Sequence, residues 1–310
     1  GNSVNGGIVE GVWVFHRHGD RTPSRPLASS SASSFSSSHE SWDETPEARF
    51  WSTVVPPGRS VHKALSVRFP TSVHPSNPSN FLDSKRWPYG CLTYRGMDQM
   101  RTAGRRCAVR YGRIGHQVEL VGPSSPPTPL GGGGGGGGDG DDPPPCLTDH
   151  WDVTSNSTNY LRTIKSAQCF LDGLVGGMTT EGSDPRKMDW DALANGAAAA
   201  SGGKQQRHRP VATVRVRDRA TDTLNAFDRD PALMSSLVSE VVDSPRFLRI
   251  DGAAAPLAAR LANHLPGLAG CKQAFPSPSG INWIHAADHF VCRSSHGVPY
   301  SSYTDSAMAG

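Results

Sequence analysis

The 310-residue sequence contains no apolar run approaching the roughly 20 residues that a bilayer-spanning helix needs, so we expect no membrane span. Its formal net charge is only +3 and its arginines cluster locally, which argues against an extended nucleic-acid surface. No Cys-x-x-Cys pair occurs among Cys91, Cys107, Cys146, Cys169, Cys271 and Cys292, which removes zinc-ribbon and thioredoxin-type readings. Cys107 and Cys169 sit in helical apolar patterns and read as small core hydrophobes, while pairing among the others is not decided by the sequence. An initiating Met is missing: the chain starts at Gly1, without the basic-then-apolar pattern of a signal peptide. We therefore expect a processed or truncated N-terminus. A hydrophobic content of 36% excludes wholesale disorder and supports a large core in one domain or two.

Several stretches lack the apolar periodicity of packed elements. The serine-rich run from Ser29 to Ser41 cannot bury enough surface to offset chain entropy and reads as a flexible insertion. From Pro56 to Pro88 prolines and serines dominate, which predicts an irregular surface excursion. The glycine run Gly131 to Gly138, between prolines and Asp139, lacks the Gly-Lys-Ser/Thr that a nucleotide-binding loop requires, and it reads as low complexity. Ala194 to Gly203 is a further patch of that kind.

The most informative stretch runs from Ile8 to Pro23. Ile8, Val9, Val12, Trp13, Val14 and Phe15 predict a buried strand of an α/β sheet. It stops at His16-Arg17-His18-Gly19-Asp20-Arg21-Thr22-Pro23, a loop at the sheet edge where such folds place ligands. Two guanidinium groups flank an imidazole there, a pattern suited to an oxyanion, because the planar fork of Arg matches phosphate oxygens bidentately. The pattern Arg-His-Gly-any-Arg-any-Pro would arise by accident in roughly one chain in ten thousand of this length.

Other segments predict helices and one more strand. Glu47, Ala48 and Phe50 suggest a short helix. Thr93 reads as the N-cap of a helix with Met97, Met100, Gly104, Cys107, Ala108 and Tyr111 on one face. Ser157 and Thr158 supply helix-start chemistry before a face of Leu161, Ile164, Ala167, Leu171 and Leu174, with Arg162 in the first turns. Pro210 to Val216 alternates as a strand with one exposed side. Leu233, Leu237, Val241 and Val242, then Leu257, Leu261 and Leu265, mark amphipathic helices. His285, His289 and His296 share no metal-ligand spacing and read as structural or exposed.

Arg17 to Pro23 resembles the signature of the histidine acid phosphatases, branch 2 of the histidine phosphatase superfamily. The segment after Thr93 is similar to the helix that follows the phosphate loop in that family, and Ser157 to Ala167 looks like the family block whose arginine, here Arg162, is the third phosphate ligand. This resemblance implies a mixed α/β fold with a largely parallel sheet, over residues 1–217, and a smaller helical cap over 218–310. Low-complexity insertions are expected near 24–41, 122–145 and 194–203. It implies a metal-free phosphomonoesterase without cofactor, acting on a small phosphomonoester. His18 would be the nucleophile, and Arg17, Arg21 and Arg162 would bind the phosphoryl oxygens. Asp20 in the variable slot is like the broad acid phosphatases, and the surrounding segments fit a secreted or lysosomal/vacuolar type.

The family's chemistry also uses a later histidine followed by aspartate as general acid. None of the twelve histidines here is followed by Asp; Asp288-His289 has the reverse order and is not assigned. The general acid is therefore unknown, and the sequence leads us to expect a fragment that stops before the sheet domain is completed. An inactive phosphate-binding or interaction module, or a phytase or inositol phosphate phosphatase, is the alternative. Oligomeric state is not legible.

Overall fold

Proline at the first helical position, where its missing N–H costs nothing, opens the short helix α1, Pro46–Val54, and Trp51 on that helix is fully buried. It falls where Glu47, Ala48 and Phe50 led us to expect one. The computed structural model containing it describes residues 11–27, 46–77, 87–111, 151–176, 185–194, 212–225, 229–265, 268 and 279–298. The expected insertions over 122–145 and 28–41, the glycine run, Cys146, Cys271 and Gly1–Glu10 lie outside the described residues.

The stretch after Pro56 corrects the expectation of an irregular excursion. Helix α2, Gly58–Arg68, buries Val61, Ala64 and Leu65, and strand β1, Thr71–Val73, follows it directly. The two prolines precede the helix, where proline is tolerated, so local proline density concealed the three- and four-residue spacing behind it.

Helix α3, Tyr94–Tyr111, begins as predicted: Thr93 Oγ1 accepts the Gly96 N–H at 3.0 Å. Strand β2, Ser155–Ser157, leads to α4, Leu161–Leu174. Its N-cap is Tyr160, without a side-chain cap bond, so Ser157 and Thr158 precede the helix instead of capping it. Thr163 Oγ1 donates to the Thr158 and Tyr160 carbonyls, at 3.1 and 2.8 Å, closing the turn that enters it. Every residue of α4 from Ile164 to Leu174 is buried, a wider face than the predicted stripe. Gly104 of α3 and Gly173 of α4 let these two helices cross with backbone against backbone; a Cβ at either would collide with a carbonyl of the other helix.

A short helix α5, Trp190–Ala194, packs against α2, and β3, Val214–Val216, completes the sheet. Strand order is β1-β3-β2 and both pairings are parallel, with Thr71 and Ser155 each opposite Val214. Val214 and Val216 point into the core while Arg215 is exposed, as the alternation predicted. The fold is α/β.

Past residue 229 the chain forms α6, Pro231–Val242, α7, Pro245–His264, and α8, Trp283–Ser295. Each opens on a side-chain cap: Asp230 accepts from Leu233 N–H at 2.9 Å, Ser244 from Phe247 N–H at 3.2 Å, Asn282 from His285 N–H at 3.0 Å. Helices α6 and α7 contain the residues whose spacing predicted them, whereas α8 was not expected from spacing; the predicted apolar face of α6 is not covered, because Leu233, Leu237 and Val241 are exposed. No described helix is long and apolar enough to cross a membrane.

Candidate active site

Over its described residues, 11–15, the predicted strand before the signature is not formed. Residues 11–19 carry no strand, and Trp13 and Phe15 are 82% and 83% exposed. A fully buried parallel strand needs covering on both faces and partners for its N–H groups. Here the N–H of Gly19 instead donates to Ser166 Oγ on α4 at 3.2 Å, and that of Asp20 to Gln99 Oε1 on α3 at 2.8 Å. The signature is thus threaded between two helices as irregular chain. Glycine at 19 is required for this, because a Cβ there would strike the backbone of Gly96 at the start of α3.

Beyond Asp20 the loop is pinned by backbone bonds. Thr22 N–H donates to the Cys91 carbonyl at 3.0 Å, and Gly90 N–H to the Pro23 carbonyl at 2.7 Å, with Gly90 in the left-handed region at φ 71°. The buried Thr22 hydroxyl donates to the Pro88 carbonyl at 2.6 Å.

A cavity of about 230 Å³ opens beside this loop, lined by Arg17, His18, Asp20, Arg21, Gln99 and Asp288. His18 Nδ1 lies 2.8 Å from the Gly19 carbonyl oxygen. A carbonyl only accepts, so that contact assigns the ring proton to Nδ1 and leaves the Nε2 lone pair unprotonated. Nε2 is 3.4 Å from the donating Nε of Arg21. Burial pushes the His18 pKa down, the Gly19 carbonyl pulls it up more than any single arginine pushes it down, and the positive charges of Arg162, Arg21 and Arg17 join burial to bring it to about 4. The three arginines singled out from sequence therefore act on one imidazole. They do so from different places: Arg17 is exposed, Arg21 is partly buried, and Arg162 lies outside the cavity lining with its guanidinium carbon 4.2 Å over the Tyr160 ring. Arg162 and Ser166 are four residues apart on α4, hence on one face, and Ser166 is the residue that accepts from Gly19.

A family model described as the histidine phosphatase superfamily (branch 2) matches residues 8–272. The chain belongs to that superfamily. No curated protein and no solved structure matches the chain.

In this branch 2 chain, sequence reasoning missed the side chains that close the cavity from α8. Asp288, passed over because its neighbouring histidine stands on the wrong side, forms a two-point ion pair with Arg21 at 2.5 and 3.1 Å. It also accepts from the Ser24 N–H and hydroxyl, both at 2.9 Å. Burial alone would raise the Asp288 pKa, but Arg21 and Ser24 outweigh it and hold the carboxyl below its ordinary range. Asp20, read as a hint about substrate, is tied to structure: Thr93 and Ser295 hydroxyls donate to it at 2.6 and 2.5 Å, and His296 Nε2 lies 2.7 Å away. Burial raises its pKa, and these hydrogen bonds reverse the shift. His285 and His289 are buried and their rings meet edge to face at 5.1 Å, so both are structural, as is His296. Among the described residues no cluster of His, Cys, Asp or Glu could hold a metal ion. Among the described residues no two of Cys91, Cys107, Cys169 and Cys292 are joined by a disulfide, and Cys169 is fully buried as expected of a core hydrophobe.

Proposed function

We propose that this chain is a phosphomonoester hydrolase of the acid phosphatase type, working through a phosphohistidine on His18. The observation that carries the reading is a His18 Nε2 left unprotonated by the Nδ1 contact, on an imidazole in the wall of a small cavity whose pKa burial and then three guanidinium groups depress to about 4. An imidazole that stays neutral in acid is a competent nucleophile where an ordinary one is charged.

In the proposed reaction Arg17 and Arg21, on the cavity wall, and Arg162, whose charge reaches His18 from outside that lining, hold the phosphoryl oxygens. They offset charge as it spreads over them in the transition state. Nε2 attacks phosphorus, the bond to the ester oxygen breaks, and the departing oxygen takes a proton. Water then attacks phosphorus, breaks the P–N bond and releases inorganic phosphate. A cavity of about 230 Å³ suits a phosphoryl group with a small alcohol attached.

No residue of this chain is assigned to the leaving-group proton. Asp20 and Asp288, the carboxylates on the cavity wall, are both held ionised by their partners. That observation supports a second reading, a phosphate-binding module of the same fold that turns over little. The missing proton donor is worth about 10²- to 10⁴-fold in such steps, so good leaving groups are the substrates of choice for a test.

The test is to incubate the chain with ³²P-labelled 4-nitrophenyl phosphate and quench in alkali, where phosphohistidine survives. Label that is stable in base, lost in acid and absent in His18→Ala supports the phosphatase. Phosphate binding without label on His18 establishes the binding module instead.

A further inference from the structure

We propose that Asp288, on α8, is a positioning residue that sets which edge of the Arg21 guanidinium faces the substrate; the inference rests on the phosphatase reading above and deepens it. Arginine carries five N–H donors in one plane. Nη1 and Nη2 give one each to the two oxygens of Asp288, at 3.1 and 2.5 Å. Nη1 gives its other proton to the Thr22 carbonyl at 2.8 Å. The two that remain, on Nε and on the outer side of Nη2, share one edge of the fork. The Nε proton points at His18 Nε2, 3.4 Å away.

Asp288 therefore takes the end of the fork and leaves its side facing the imidazole, where a phosphoryl group would accept the Nε–H, in place of its 3.4 Å contact with His18, together with the outer Nη2–H. The carboxylate is itself oriented from outside the pair by the Ser24 N–H and hydroxyl, both bonded to Oδ2. Side-chain exposures of 11% for Arg21 and 17% for Asp288 keep most water from the contact. A two-point ion pair of this kind fixes the guanidinium plane as well as its position, so the arginine meets phosphate with less to reorganise. The opposite role is a plug, in which the carboxylate occupies the arginine and phosphate must displace it. Geometry favours positioning, because the edge nearest His18 is not the one Asp288 uses.

The two roles predict changes of opposite sign, measured on the full chain by titration calorimetry with inorganic phosphate and with vanadate. For positioning, Asp288→Asn weakens phosphate binding about tenfold or more and vanadate binding further, because removing a charge-assisted contact frees the plane of Arg21. Asp288→Glu, which keeps the two-point acceptor, recovers part of the loss, and loss of general stability alone would give no such rescue. Binding by Asp288→Asn as tight as wild type, or tighter, overturns the proposal. A second measurement needs no variant: the ¹⁵Nε–¹H resonance of Arg21, assigned with Arg21→Lys, is a single slowly exchanging signal if Asp288 locks the plane. Rapid solvent exchange there overturns it. Wild-type protein that binds no phosphate refutes the phosphatase reading, while the Arg21 signal still decides what Asp288 does.

Discussion

If His18 titrates at about 4 rather than at the ordinary 6.5, the proposed nucleophile stays neutral in acid that would protonate a free imidazole. One pH unit above a pKa of about 4, at pH 5, roughly nine-tenths of the imidazole is neutral; with an unperturbed pKa near 6.5 only about 3% would be. The rate of base-stable labelling at pH 5 should thus exceed that of an unperturbed site by about thirtyfold, with an acid limb falling near pH 4. The direct assay is the ¹³Cε1 shift of ring-labelled histidine, with the His18 signal identified by its loss in His18→Gln. Arg162→Met removes the largest of the three charge contributions and should move the midpoint upward, while burial, the leading cause, still holds it below 6.5. Stability follows the same equilibrium. The folded state takes up this proton less readily than the unfolded chain, so the contribution of His18 is present above pH 6.5 and is lost as the pH falls towards 4. A His18 midpoint at or above 6.5 would refute the argument that burial and arginine charge prepare this nucleophile.

Arg21→Lys keeps the charge but cannot present one edge to Asp288 and another to His18, and should lower the labelling rate by about 10²- to 10³-fold with little change in melting temperature. Asp172→Asn removes the carboxylate that Arg68 and the buried Arg101 share, each at 3.0 Å, and should cost about 3–5 kcal/mol in urea unfolding. Gly104→Ala drives a methyl group into the Phe170 carbonyl where α3 crosses α4, and should cost about 1–3 kcal/mol by the same measurement.

What the sequence made legible was chemistry carried by contiguous residues. Arg17, His18 and Arg21 share one loop, and Arg162 sits at the start of a helix whose apolar spacing is unmistakable; Thr93 caps α3 through a bond that its position alone foretold. The errors lie where a distant part of the chain decides. Six apolar residues from Ile8 to Phe15 look like a core strand, yet the residues described there find no strand partner and Trp13, Val14 and Phe15 are exposed; the loop that follows is held instead by Ser166 and Gln99. Prolines between 56 and 88 suggested irregularity, and α2 forms because Pro56 and Pro57 stand before its first turn and the next, Pro70, lies beyond its end.

Helix α8 was misjudged for a more instructive reason, because its hydrophobicity points the wrong way. Ile284 and Val291 are 65% and 68% exposed, while His285, His289 and Arg293 are at most 7% exposed. A helix that buries polar groups and exposes aliphatic ones must be facing something polar enough to satisfy them. Here that is the signature loop: Asp288 binds Arg21 and Ser24, His289 meets the Arg25 carbonyl, and Ser295 and His296 hold Asp20. Those contacts span more than 260 residues of chain, so no local pattern announces them. A run in which histidine, aspartate and arginine recur at helical spacing, with isolated aliphatics on the opposite side, is the trace such a contact leaves in a sequence. In this chain it marks the helix whose carboxylate completes the arginine site.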